Sequence, residues 1–306
     1  MLSTESLKKR ILIFGANGML GQRTVLKFSD EPELYEVLLS SAEPTAILQD
    51  RDYVQADLTK REEVKKVIHD FVPDFIVNCA AYTNVDGCEK ERDLSWKVNV
   101  SAVEFMAEGA RAYDSAIIHI SSDYVFDGTK GYYTEMDLPN PISYYGRTKL
   151  AAENALKISG VTNTIIRTNV LYGVIAAGRN DFVRWVVESL RQNKPIRIVT
   201  DQINNPTYLD DLAGAIFLAV KFKKSGLYNI GGAEFMNRYE FTLKIADYFN
   251  LDKSLITPIT TAELNQPAPR PLKSGLVNLK AETELGYKPH SLEETFAKIK
   301  KSLDGE

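Results

Sequence analysis

The chain has 306 residues, about two domains' worth at ~150 residues each, and its 44% hydrophobic and 25% charged residues are those of an ordinary globular protein. Disorder, collagen-like repeats and coiled coil are excluded as whole-chain readings. A net charge of -4 gives no basic field for nucleic acid, and the longest apolar run, 212–220, falls well short of the ~20 residues that span a bilayer.

Neither nucleic acid nor membrane is therefore expected as a partner. The polar stretch 1–10 has no apolar core before a cleavage site, so no signal peptide is expected and a cytoplasmic location is. Two cysteines, Cys79 and Cys88, and three histidines give no disulfide framework and no expected metal site. Catalysis is left to hydroxyls, phenols, lysines and carboxylates.

In chain order, strands are expected over 10–14, 36–40, 53–56, 75–78, 116–120 and 163–168. Helical spacing falls between them over 19–28, 60–71, 94–113 and 143–158. This alternation predicts an α/β fold, a Rossmann-like doubly wound parallel sheet. Beyond Gly173 come helices over 182–192 and 209–222, then a strand over 227–230 that could rejoin the first sheet. A helix over 237–249, a Pro-containing stretch over 258–271 and a last helix over 291–303 follow, the last opened by a capping box of Ser291 and Glu294. The expected division is a dinucleotide-binding domain over 1–170 and 200–230, and a smaller helix-rich substrate lobe over 171–199 and 231–306.

Directly after the first strand, Gly15-Ala16-Asn17-Gly18-Met19-Leu20-Gly21 leads into a helix. Glycines let the backbone turn and approach a pyrophosphate, whose charge rests on free amides at the positive helix end. The second strand ends in Leu39-Ser40-Ser41-Ala42-Glu43, with no acid at its end for a ribose diol. Ser40, Ser41 and Arg23 could instead accept a 2'-phosphate, which points to NADPH, with NADH as the other choice. Asp57, in Ala56-Asp57-Leu58-Thr59, reads as an N-cap for the helix beginning near Lys60. Asn78-Cys79-Ala80-Ala81 closes the fourth strand with small side chains against which a cofactor can lie, so Cys79 reads as wall rather than nucleophile.

Tyr145 and Lys149 are four apart and share a helix face. A nearby ammonium lowers a phenol's pKa from its usual ~10, and a tyrosine so tuned can protonate a carbonyl oxygen while hydride reaches the carbon. The pair alone is a weak signal; its place after the fifth strand is the informative part. That strand ends in Ile120-Ser121-Ser122-Asp123, where the Ser122 hydroxyl can hold the same carbonyl. His119 lacks a Gly-x-Ser-x-Gly elbow and reads as a core histidine.

The spacing of the glycine loop resembles that of the short-chain dehydrogenase/reductase superfamily. Ser121-Ser122-Asp123-Tyr124-Val125-Phe126-Asp127-Gly128, Asn78 to Asp86, Tyr145-Gly146-Arg147-Thr148-Lys149-Leu150 and Asp201-Gln202-Ile203-Asn204-Asn205-Pro206-Thr207 closely resemble segments of the dTDP-4-dehydrorhamnose reductases. Arg270-Pro271 and Glu284-Leu285-Gly286-Tyr287-Lys288-Pro289 fit the same family, so the resemblance covers nearly the whole chain. It implies reduction of the 4-keto group of a dTDP-6-deoxy-hexulose by NADPH or NADH, giving dTDP-L-rhamnose for surface polysaccharides. A dTDP-sugar is the implied partner, and a homodimer is allowed.

On matching positions the resemblance implies Ser122 where threonine is usual, Tyr145 as acid, Lys149 on the nicotinamide ribose and Asn99 supporting the proton relay. It places Asp57 and Leu58 by the adenine; Tyr82, Asp123 and Phe126 on the substrate; and Arg270 on its diphosphate, where a guanidinium fork suits phosphate. A 4,6-dehydratase would carry Asp-Glu after the strand-end hydroxyl, and Asp123-Tyr124 argues against it. Other sugar-nucleotide reductases and epimerases use the same Tyr and Lys. The regulatory subunit of methionine adenosyltransferase resembles this family too and is the non-enzymatic alternative.

Overall fold

At the centre of the computed structural model, which describes residues 8–178 and 180–305, seven strands form one wholly parallel sheet. In chain order its domain contains β1 (Lys9–Phe14), α1 (Met19–Ser29), β2 (Tyr35–Ser41), β3 (Tyr53–Gln55), α2 (Arg61–Phe71), β4 (Phe75–Asn78), α3 (Ala102–Tyr113) and β5 (Ala116–Ser122). Then come α4 (Tyr144–Ile158), β6 (Asn163–Thr168), α5 (Leu209–Lys221) and β7 (Gly226–Ile230). The spatial order is β7-β6-β5-β4-β1-β2-β3. It reverses between β1 and β4, and open α/β sheets bind ligands in the crevice outside the carboxyl ends of such strands. β7 pairs with β6 from Gly226 opposite Thr164 to Ile230 opposite Thr168, so the late strand does rejoin the first sheet.

The strands are apolar because both sheet faces are covered. From β1, Ile11 and Ile13 pack with Val25 and Phe28 of α1 and Leu212 and Ile216 of α5; Leu12 and Phe14 face Val64 and Ile68 of α2 and Val103 and Met106 of α3. The apolar run 212–220 is thus the buried face of α5, and among the described residues no helix is long and apolar enough to cross a membrane.

A second core joins the helices Phe182–Arg191, Arg238–Tyr248 and Leu292–Asp304 through Val183, Val187, Phe241, Ile245, Phe296 and Ile299. The Ser291 and Glu294 capping box is present. The same region holds short strand pairs with no local sequence signal: Ile196–Val199 with Ile256–Ile259, and Ile203–Asn204 with Met236–Asn237. Gly131–Tyr133 pairs with Ser274–Leu276 and ties the segment after β5 to this helical region.

Two local expectations are corrected. The stretch 94–113 is not one uniform helix: Arg92–Trp96 runs into a π-helical turn, Lys97–Ser101, before α3. Nor does Asp57 cap α2, because Lys60 holds the N-cap position. The Asp57 carboxylate instead accepts from the Thr59 N–H and hydroxyl at 2.9 and 2.7 Å, an Asx turn that leads the chain to the helix.

Candidate active site

The glycine loop joins β1 to α1 at the sheet reversal. Gly15 has φ +75°, and its N–H and that of Ala16 donate to the Ser40 carbonyl at 2.8 and 3.1 Å. A Cβ on Gly15 would lie 2.6 Å from the Ala80 nitrogen, and one on Gly21 2.1 Å from the Gly15 oxygen, so backbone meets backbone at both places. Gly18 precedes α1 with no side-chain cap, and the first turn holds no acid, which leaves the amides of Met19, Leu20 and Gly21 for an anion. Asn17 braces the loop: its N–H donates to the Ser41 hydroxyl, its Nδ2 to the Thr45 carbonyl, and its Oδ1 accepts from Ile47 N–H. A bare glycine cradle at an uncapped helix end fits a dinucleotide's pyrophosphate.

The side chains expected to select NADPH do not converge. Ser40 is fully buried, its hydroxyl without a partner among the described residues, the Ser41 hydroxyl accepts from Asn17, and Arg23 is ion-paired with Asp210 of α5. Asp57 is held below the usual carboxylate range by the Thr59 hydroxyl, and Leu58 is buried under α2. Cys79 fits the wall reading, since burial pushes its thiol up to about 12. Ala80 donates its N–H to Asn78 Oδ1, and Ala80 and Ala81 are both half-buried at the crevice. Burial holds His119 well below its usual pKa, a neutral core residue beside Asn78.

Ser122 and Tyr145 come together, and Lys149 lies one turn further along α4. Ser143 caps α4 by accepting from Gly146 N–H at 3.2 Å, and a Cβ on Gly146 would sit 2.1 Å from the Tyr124 carbonyl oxygen. The first turn of α4 is therefore seated directly on the backbone after β5, which puts the Tyr145 phenol beside the Ser122 hydroxyl. Tyr124 meets the Tyr145 ring edge-on at 5.4 Å, and Lys149 Nζ donates to the Ile120 carbonyl at 2.6 Å. The electrostatics differ from expectation. Burial raises Tyr145 above its ordinary value, despite the Ser122 hydroxyl, and lowers Lys149 to about 8. The phenol thus stays protonated at neutral pH, the form an acid requires.

Behind Lys149, one turn along α4, Glu153 is buried with Arg167 of β6; two Arg167 nitrogens donate to it at 2.8 and 2.7 Å, and Ser121 donates at 2.7 Å. Among the described residues Asn99 makes no hydrogen bond to the phenol or the ammonium. From the π turn it accepts from Tyr82 N–H at 2.8 Å and donates to the Thr148 hydroxyl at 3.0 Å, clamping the 82 segment to α4.

Of the expected substrate residues, Asp123 lies against the cluster, accepting from the hydroxyls of Ser122 at 2.9 Å and Ser274 at 2.6 Å. Burial pushes its carboxyl up to about 6. The other three are engaged within the protein. Phe126 is fully buried, stacked on Tyr133 at 4.0 Å and covered by Arg167. The Tyr82 hydroxyl is taken by Glu91. Arg270 spends its fork on Asp86, at 2.6 and 2.8 Å, and on the Ala268 carbonyl. Sequence reasoning missed Ser274, Thr148 and Arg238 as neighbours of the site, and read Tyr124 only as the absence of a dehydratase acid.

Because the folded carboxyl of Asp123 is raised, the wild type gains stability as pH falls through about 6. Asp123→Asn should therefore be more stable at pH 7 by about 1–3 kcal/mol, an advantage that shrinks below pH ~6 and vanishes below ~4. Urea denaturation of both proteins across that range checks it; an equal gain at every pH would place the effect elsewhere.

A profile described as RmlD substrate binding domain matches residues 9–304. The chain belongs to that family. It is 33% identical over 303 residues to a dTDP-4-dehydrorhamnose reductase of Aggregatibacter actinomycetemcomitans, spanning 95% of this chain and 98% of the relative. It is 34% identical over 283 residues to methionine adenosyltransferase 2 subunit beta of Rattus norvegicus, spanning 90% and 82%. The crystal structure of dTDP-4-dehydrorhamnose reductase from Bacillus anthracis in complex with NADP superposes with a TM-score of 0.85 at 30% identity, over 97% of this chain and all of that one. The family resemblance read from the motifs is borne out.

Proposed function

We propose that the protein is an NADPH-dependent reductase of a sugar-nucleotide ketone. It would reduce the 4-keto group of a dTDP-6-deoxy-hexulose to give dTDP-L-rhamnose, with NADH as the alternative donor. The observation that carries this reading is the buried Tyr145 phenol beside Ser122 at the carboxyl end of β5, the same end of the parallel sheet as the glycine loop after β1. The likeness to a reductase solved with NADP supports the cofactor.

When bound, the nicotinamide supplies hydride; the chain's own residues do the rest. The free amides of Met19, Leu20 and Gly21 would hold the pyrophosphate, and Cys79, Ala80 and Ala81 form a wall without bulk. Ser122 donates a hydrogen bond to the ketone oxygen, and Tyr145 delivers its proton there as the oxygen gains charge. Lys149, one turn along α4 from Tyr145, would offer its ammonium to the nicotinamide ribose. In this reading residues 1–170 and 200–230 bind the dinucleotide, 171–199 and 231–306 bind the substrate, and the enzyme works as a cytoplasmic homodimer.

The similarity to methionine adenosyltransferase 2 subunit beta favours one second reading, an NADP-binding regulatory subunit. One assay separates the two: loss of NADPH absorbance with dTDP-4-keto-6-deoxy-L-hexulose generated in place. Oxidation that depends on Tyr145 supports the reductase. Tight NADPH binding without oxidation of this or related nucleotide sugars moves the assignment to the regulatory subunit.

A further inference from the structure

Two arginines stand on the substrate side of the crevice, and their surroundings are opposite. Arg270 is engaged on both nitrogens by Asp86. Arg238 opens the helix Arg238–Tyr248, its N–H donating to the Gln202 carbonyl at 3.1 Å, and its guanidinium lies over the Phe182 ring at 5.0 Å. It is half-buried, and among the described residues no carboxylate lies within ion-pair distance of it.

The backbone fixes where this charge sits. Ile203 pairs with Asn237, the residue before Arg238, and is bridged on its other side to Lys273; the next residue, Ser274, donates to Asp123, which accepts from Ser122. Arg238 is therefore on the lobe side of a short tie that leads to the Ser122 and Tyr145 pair, and its charge acts on both Asp123 and Tyr124. Half-desolvating a guanidinium without a partner opposes folding. The helix does not need it either, since Asn237 and Glu240 already form its capping box. Five N–H donors in a flat fork, pinned against an aromatic face, are suited to receiving a phosphate group.

We propose that Arg238, held over the Phe182 ring, binds the diphosphate of the nucleotide sugar, and that Arg270 serves as a structural ion pair with Asp86. This rests on the sugar-nucleotide reading above. A hexose whose ketone is held by Ser122 and Tyr145 carries its diphosphate across the ring, on the anomeric oxygen, and Arg238 provides the cation on the lobe side for that end. Arg238 would then discriminate for the charged diphosphate rather than for the base.

The test is calorimetric titration of the full chain with dTDP, thymidine and NADPH, for the wild type and for Arg238→Gln, Arg238→Lys and Arg270→Gln. A hydrogen-bonded charge pair of this kind corresponds to about a tenfold to hundredfold weaker dTDP in Arg238→Gln, with NADPH affinity kept as the check on folding. Arg238→Lys should recover part of the loss, thymidine should be indifferent to the change, and in turnover KM should rise more than kcat falls. Equal dTDP affinity in wild type and Arg238→Gln overturns the assignment, as does a selective dTDP loss in Arg270→Gln alone. If the wild type binds NADPH but not dTDP, the sugar-nucleotide reading itself falls and takes this inference with it.

Discussion

Tyr145→Phe should lower kcat by about a hundredfold to ten-thousandfold, the range a positioned general acid contributes, with NADPH affinity changed by no more than about twofold. The substitution removes one oxygen from a residue that is only 9% exposed and keeps the ring that meets Tyr124 edge-on at 5.4 Å, so the fold has little to lose. What is lost is the proton. Burial keeps it on the phenol at neutral pH, and water replaces it poorly in a site walled by Tyr124 and Asp123. Ser122→Ala should be milder, because its hydroxyl can hold a carbonyl oxygen but donates to Asp123 at rest. If both groups act on one oxygen, the double variant should be little slower than Tyr145→Phe, since residues working as a unit are not additive. Turnover of Tyr145→Phe within tenfold of the wild type would remove the acid assignment.

The parts of this protein legible in its sequence are those whose signal is local. The glycine loop carries its own spacing and strand-loop-helix setting; Tyr145 and Lys149 share a helix face four residues apart; β1, β4, β5 and β6 are short apolar runs. The parts that were missed depend on partners far along the chain. Nothing near Arg270 announces that Asp86, 184 residues away, takes its fork, and nothing near Phe126 shows that Tyr133 and Arg167 enclose it. Ser274 reaches Asp123 only because Gly131–Tyr133 pairs with Ser274–Leu276. The π turn at Lys97–Ser101 is hidden for another reason: one extra residue in a turn leaves the apolar pattern of a helix almost unchanged, yet it presents Asn99 to Tyr82 and Thr148. Short motifs therefore carry residue type and local spacing, while the partners of Arg270 and Arg238 are set only by the fold.

Arg167→Met should be the most destabilising single change in the sheet domain, by about 3–5 kcal/mol, because it leaves the buried Glu153 carboxylate without its main partner. Glu153 and Arg167 side chains are 0% and 1% exposed, and among the described residues Ser121 and the more distant Lys157 ammonium at 3.5 Å would remain as hydrogen-bond and ion-pair partners. For a chain of this size the loss corresponds to a fall in Tm of roughly 5–15 °C, measurable by calorimetry. Two further outcomes separate an unpaired charge from simple loss of packing over Phe126. The first concerns pH. In the wild type burial pushes Glu153 up, but the Arg167 hydrogen bonds and charge outweigh it and hold the carboxyl below its ordinary value, so its contribution is present at neutral pH and fades as pH falls. In Arg167→Met burial acts unopposed by Arg167, the folded carboxyl rises, and the variant gains stability on acidification; the deficit should be largest near pH 7 and smallest near pH 5. The second is rescue. Replacing Glu153 by Met as well removes the stranded charge and fills the space with apolar atoms, and the double variant should recover most of the lost stability. A deficit independent of pH and not recovered by the double variant would assign the role of Arg167 to packing instead.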